Sequence, residues 1–166
     1  MNDRNDEFHY KFELLKQEID ELQAAIRSYD ALTFVIRGWA TTFFSAFIVF
    51  IIDKREASFF LTCLLAITLF WLIDAVYRGL QREYINRTKK IEEFLNDSPA
   101  FNKAISTGDF GSFQVPNLAG SFKEKTRWEI VEGLVKEVRL LHNSVLYLSM
   151  FVIVAVIGML MITGVI

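Results

Sequence analysis

The chain has one cysteine, two prolines and two histidines in 166 residues, and each scarcity closes off a class of protein. Cys63 alone forms no internal disulfide, which excludes a disulfide-stapled domain; the thiol is expected to pack as a small hydrophobe. His9 and His142 are far apart in sequence and have no metal-ligand spacing with that cysteine. No glycine-rich phosphate loop occurs, nor any serine, histidine and aspartate set in a nucleophile context. Enzyme activity, a metal and a cofactor are therefore not expected. His142 reads as a polar residue at the mouth of an apolar segment, with a pH-sensing imidazole as the alternative. The formal net charge of −2 points to no nucleic-acid partner.

What the chain has in excess is apolar surface. Hydrophobic residues make up 52% of it, with 16 Phe and 3 Trp, more than a soluble domain of this length can hide. Three stretches stand out, at about 32–52, 59–76 and 145–166, the last without a charge. Each approaches the roughly 20 helical residues that cross a hydrocarbon core of about 30 Å. The predicted class is an all-α integral membrane protein whose three transmembrane helices extend into cytosolic helices. The expected organisation is an amphipathic, coiled-coil-like arm over 1–31, a hairpin over 32–77, cytosolic helices over 78–144 with an irregular insert at 97–122, and a third span over 145–166.

The first thirty residues are charged and lack an apolar stretch with a cleavage site, so no signal peptide is expected. Basic residues gather after the second span, at Arg78, Arg82, Arg87, Lys89 and Lys90, and before the third, at Arg127, Lys136 and Arg139. The 53–58 connection has only Lys54 and Arg55. The positive-inside rule then puts the N-terminus and 77–144 in the cytoplasm and the C-terminus outside.

Two charges lie inside the apolar segments. Arg37 is 16 residues before Asp53 and Asp74 is 16 residues after Ser58, so at about 1.5 Å per residue both sit roughly 24 Å from the connection. Opposite charges at one depth suggest an ion pair, because an unpaired charge in hydrocarbon is costly; snorkelling of each to the interface is the alternative. Trp39 and Trp71 are level with each other, as interfacial anchors or as covers over the charges, with Tyr77 a further interfacial aromatic. Small residues recur every four positions at Ser58, Thr62 and Ala66, at Gly38 and Thr42, and at Thr41 and Ser45. That spacing lets helix backbones approach closely in lipid.

Before the first span, Phe8, Phe12, Leu15, Ile19, Leu22, Ile26 and Tyr29 alternate four and three residues apart. This is a heptad seam, expected to join copies of the chain. Packing on its own domain, or on a membrane surface, would use the same stripe, although the acidic exposed face disfavours the membrane. Residues 1–33 hold eight acidic and four basic side chains. The cluster from Arg78 through Lys90 can therefore contact this arm or anionic lipid headgroups. A second stripe, Tyr77, Leu80, Tyr84, Ile91 and Leu95, runs to the stop at Asn96-Asp97-Ser98-Pro99, and a third uses Trp128, Val131, Val135 and Val138. In the insert a short helix is expected over 100–106, then turns, with "SFQV" briefly extended. Its phenylalanines argue against a disordered linker.

The helical arm, the tight hairpin and "WLIDAVYR" running into "LQREYINRTKKIEEFL" resemble small bacterial inner-membrane proteins of the SLATT and RipA-like kinds. The resemblance covers about residues 8–96 and rests on Trp71, Asp74, Tyr77 and Arg78; the third span departs from the two-span pattern. It implies an oligomeric membrane effector or homeostasis protein, the SLATT kind being associated with antiviral defence and proposed to form pores. The function expected is a homo-oligomer surrounding a narrow, hydrophobically gated pore. The alternative is a non-conducting scaffold or sensor that recruits a cytosolic protein through the insert or the acidic arm.

Overall fold

A computed structural model describes residues 3–108, 110–111, 113–115, 132–133, 135, 137–138 and 141–163. Four helices account for most of them: α1 (Asp3–Lys54), α2 (Ala57–Asn96), α3 (Ser98–Thr107) and α4 (Leu141–Ile162), with no strand among the described residues. Three of these are long and apolar enough to cross a membrane. The expected positions Trp128, Val131 and Phe122, and residues 164–166, lie outside the described residues.

Helix α1 runs unbroken for 52 residues because nothing in it stops a helix: it contains no proline, and its one glycine is Gly38. The expected six-residue connection is shorter in the structure, only Arg55 and Glu56. Arg55 takes the left-handed conformation (φ 55) and its N–H donates to the carbonyl of Ile51 at 3.0 Å. One residue of that conformation closes the end of α1. Helix α2 ends as its sequence predicts. Asp97 accepts from the N–H of Ala100, Pro99 enters the first turn of α3, and Gly108 (φ 70) ends α3 with its N–H on the Ala104 carbonyl.

The contacts divide the chain into two units. The first comprises Met1–Tyr29 and Leu80–Lys125. Here Leu15 and Leu22 of α1 are buried with Ile91 of α2, and Phe8 is buried with Ala104 and Phe110. Phe12, Ile19, Tyr84, Leu95, Phe113 and Val115 pack around them. The rings of Phe94 and Phe113 stack at 4.3 Å and 2°. Phe113, Gln114 and Val115 form no strand, since Phe113 is fixed by this ring contact and no ladder partner lies beside it among the described residues.

The second unit comprises Asp30–Gly79 and Thr126–Ile166. Its core is Ala40 and Ile51 from α1, Cys63 and Ile67 from α2, and Tyr147, Met150 and Val154 from α4. Cys63 is fully buried there as a free thiol. The described residues ahead of α4, Val135 and Val138 of the third stripe among them, belong to this unit. The close helix approach in this core is made at Gly158, where an added Cβ would lie 2.9 Å from the Phe60 ring. At Gly38 an added Cβ would meet nothing within 4 Å. Gly158→Leu is expected to lower the thermal midpoint of the detergent-solubilised protein by several degrees, since overpacking costs about 1–3 kcal/mol. Gly38→Leu should leave the fold of a single chain unchanged, and circular-dichroism melts compare the two.

Candidate functional site

Each unit contains a carboxylate that is almost completely buried and held by an arginine from another part of the chain. In the second unit the carboxylate is Asp74, 1% exposed. Arg37 of α1 donates to Asp74 Oδ2 from both Nε, at 3.2 Å, and Nη2, at 2.9 Å. The depth argument from sequence thus finds its pair within one chain. Because both donors converge on one oxygen, Oδ1 is left over. Arg78, one turn further along α2, brings its Nε to 3.7 Å from that oxygen. This is an ion pair but longer than a hydrogen bond.

Four buried side-chain polar atoms among the described residues have no hydrogen-bond partner: Asp74 Oδ1, Arg78 Nε, Tyr147 Oη and Thr33 Oγ1. Asp74 Oδ1 and Arg78 Nε belong to this node. Tyr147 of α4 lies within electrostatic reach of Asp74, Arg37 and Arg78. Thr33 is one helical turn before Arg37, and the antiparallel register fixed by the Arg37–Asp74 pair sets it level with Arg78. Sequence reasoning missed Tyr147 because its span is uniformly apolar, with no periodicity to single out one face. Thr33 could be found, since it precedes Arg37 by one turn.

The aromatics flank the node unequally. Trp71 packs inward, stacked on Tyr147 at 6.2 Å and tilted against Phe151 at 6.0 Å. Trp39 is exposed, touching Phe43 at 6.0 Å. Tyr77 is half-buried and engaged by a polar or ring contact. The side chains of Trp71 and Trp39 are thus level along the sequence but serve different surroundings.

In the first unit Glu18, 1% exposed, is gripped by Arg87 of α2 through Nε–Oε1 at 2.6 Å and Nη2–Oε2 at 3.1 Å. Arg87 Nη2 also donates to the carbonyl of Gln114 at 2.7 Å, and the guanidinium lies 4.8 Å over the Phe113 ring. One side chain therefore ties α1, α2 and the insert together. The basic cluster divides accordingly. Arg87 contacts the arm, Arg78 belongs to the Asp74 node, Arg82 is half-buried with an interaction of its own, and Lys89 and Lys90 are exposed. Of the heptad seam, Phe8, Leu15 and Leu22 are buried, while Phe12, Ile19, Ile26 and Tyr29 are half-buried. Tyr29 lies 5.5 Å from the Tyr84 ring, and Gln81 Nε2 donates to the Ile26 carbonyl at 3.3 Å. Phe8, Leu15 and Leu22 of the seam are thus covered within their own chain, while its other four residues keep part of their surface. Glu18 was legible as a position on this face, lying between Leu15 and Leu22, but its partner on another helix was not.

Beside Arg87 opens a cavity of about 570 Å³ lined by Lys90, Phe94, Lys103, Phe110 and Phe113 among others. Among the described residues no group of three or more His, Cys, Asp or Glu side chains is placed to hold a metal ion. No protein family, no curated protein and no solved structure matches the chain.

The two pairs make separable predictions. Arg37→Ala and Asp74→Ala should each destabilise the protein, and the double variant should lose about 0.5–3 kcal/mol less than the sum of the two. Additive losses in thermal or denaturant melts would show the pair to be energetically inert. Glu18→Ala should cost about 3–5 kcal/mol by leaving Arg87 buried without its counter-charge. Glu18→Leu combined with Arg87→Met should recover most of that loss, and limited proteolysis within 97–122 should report the same order.

Proposed function

We propose that the chain is a bacterial inner-membrane protein that assembles with copies of itself into a pore-forming or membrane-perturbing effector of the defence type. Its N-terminus is cytoplasmic and its C-terminus outside. The observation that carries this reading is a set of small, exposed residues on the apolar helices that no described residue covers: Gly38, Thr41, Thr42 and Ser45 on α1, Ser58 and Thr62 on α2. Their hydroxyls are already provided for. Thr41 donates to the Arg37 carbonyl at 2.9 Å, Thr42 to Gly38 at 3.0 Å, Ser45 to Thr41 at 2.9 Å and Thr62 to Ser58 at 2.8 Å. Such a face can meet lipid without an unpaired polar group, and can also receive a neighbouring helix at short range.

The arm buries three of its seven seam residues within the chain, so these helices join the arm as a site of association. In the most apolar window of each candidate span, at most 22% of residues are buried within the chain, which leaves room for neighbours. The intramembrane node lies towards the end of the spans away from the 55–56 connection and forms the polar mouth of the assembly. Phenylalanine and leucine line much of the remaining surface, so the assembly is closed at rest or gated by dewetting.

A second reading, a scaffold that does not conduct, draws on the 570 Å³ cavity at Arg87, whose aromatic walls and mixed charges, Lys90 and Lys103 with Glu93 and Asp97, are offered to a cytosolic partner. Mass measurement of the detergent-solubilised protein and ion flux across reconstituted vesicles decide between the two. The effector reading expects a particle of several chains that conducts, and Gly38→Leu should reduce its mass without altering the single-chain melt. A monomer removes the effector reading. An oligomer that never conducts leaves the scaffold.

A further inference from the structure

Among the described residues, the one ion pair of Arg78 is the 3.7 Å approach to Asp74, and its depth identifies what else can meet its charge. Counting from Ser58, Arg78 is 20 residues into the second candidate span, about 30 Å at 1.5 Å per residue. That distance matches a hydrocarbon core of about 30 Å. Its Cα therefore lies where the acyl chains of one leaflet end and the phosphates begin, on the side opposite the 55–56 connection.

The local charges do not cancel. Asp74 spends Oδ2 on Arg37 and offers Arg78 only a 3.7 Å approach from Oδ1. Arg37, Asp74 and Arg78 sum to one positive charge. The other buried carboxylate of the unit among the described residues, Glu137, lies against Gly79, forms no ion pair with Arg78 there and has an interaction elsewhere. Tyr147 and Thr33 bring hydroxyls and no formal charge. The Arg78 side chain is 20% exposed, and its Nε–H has no acceptor among the described residues. A guanidinium mostly withdrawn from solvent, with its Nε–H unspent, is suited to receive an oxyanion.

We infer that Arg78 binds the phosphodiester of an anionic phospholipid in that leaflet. The planar fork of a guanidinium matches two phosphate oxygens, which a lysine at this position would not do. The surplus positive charge of Arg37 and Arg78 favours a headgroup without a cationic amine, since a choline or ethanolamine nitrogen would be repelled. Leu72, Ile73 and Val76, exposed on α2 within two turns of Arg78, provide apolar surface for acyl chains. The inference rests on the helices spanning a bilayer and is independent of whether the assembly conducts.

The test uses the full chain in vesicles doped with spin-labelled phosphatidylglycerol or phosphatidylcholine, with electron paramagnetic resonance reading the motionally restricted fraction of each. The wild type should restrict phosphatidylglycerol several-fold more strongly than phosphatidylcholine. Arg78→Gln should bring the ratio to near one, whereas Lys54→Gln, an exposed lysine at the opposite end of the spans, should leave it unchanged. Undiminished selectivity in Arg78→Gln overturns the inference. Where that variant fails to fold, Arg78→Lys retains the charge without the fork: reduced selectivity supports the site and unchanged selectivity overturns it. Loss of wild-type selectivity when chloride buffer is exchanged for phosphate assigns the site to free phosphate and overturns the lipid assignment. A vesicle preparation with no ion flux but with phosphatidylglycerol selectivity removes the effector reading and leaves this site standing.

Discussion

A charge taken out of water must be met by another charge, and that requirement organises both halves of this molecule. Asp74 and Glu18 are each 1% exposed, and each would be expelled from the interior without a guanidinium in contact. Arg37 answers the first and Arg87 the second. The Arg37–Asp74 pair also fixes the antiparallel register of α1 and α2, so Phe43 meets Phe70 and Phe50 meets Phe59 further along the same two helices. Sliding one helix past the other by a turn would break that pair before it disturbed the more forgiving contacts among apolar side chains.

The sequence was legible wherever a pattern repeats or a cost is large. The candidate spans follow from length and apolarity, and the Arg37–Asp74 pairing follows from counting residues out from a turn. The end of α2 and start of α3 follow from Asp97 and Pro99. Less could be read where the answer lies in a partner distant along the chain. The stripe from Phe8 to Tyr29 states that a helix face needs covering, but the same stripe serves a second copy or a neighbouring helix. The cover comes from Tyr84, Ile91 and the insert, and only the tertiary structure gives it. Tyr147 was hidden for the opposite reason: in a helix without polar interruptions every face looks alike. The small residues illustrate both limits, since their spacing was plain while Gly158, which faces the Phe60 ring, lies in the span where no such motif was noted.

Arg87 shows how much organisation one buried side chain can impose on an otherwise irregular segment. The insert begins with a capped helix of ten residues, and beyond Gly108 its described residues take up no regular structure. Its place is set by the Gln114 carbonyl on the guanidinium and by Phe113 between Arg87 and Phe94. These contacts also wall the neighbouring cavity, so its shape depends on the same ion pair that holds the arm.

The charges flanking the short 55–56 connection bear on how the first two helices would enter a bilayer in the proposed reading. Asp53, Lys54, Arg55 and Glu56 form the tip of the hairpin, and their charges cancel. A transmembrane voltage acts on net charge, so it performs no net work when such a neutral tip is carried through the field. Under the proposed membrane reading, passage of this tip across the bilayer thereby couples to no voltage through its own four charges, in an energised cell or a depolarised one.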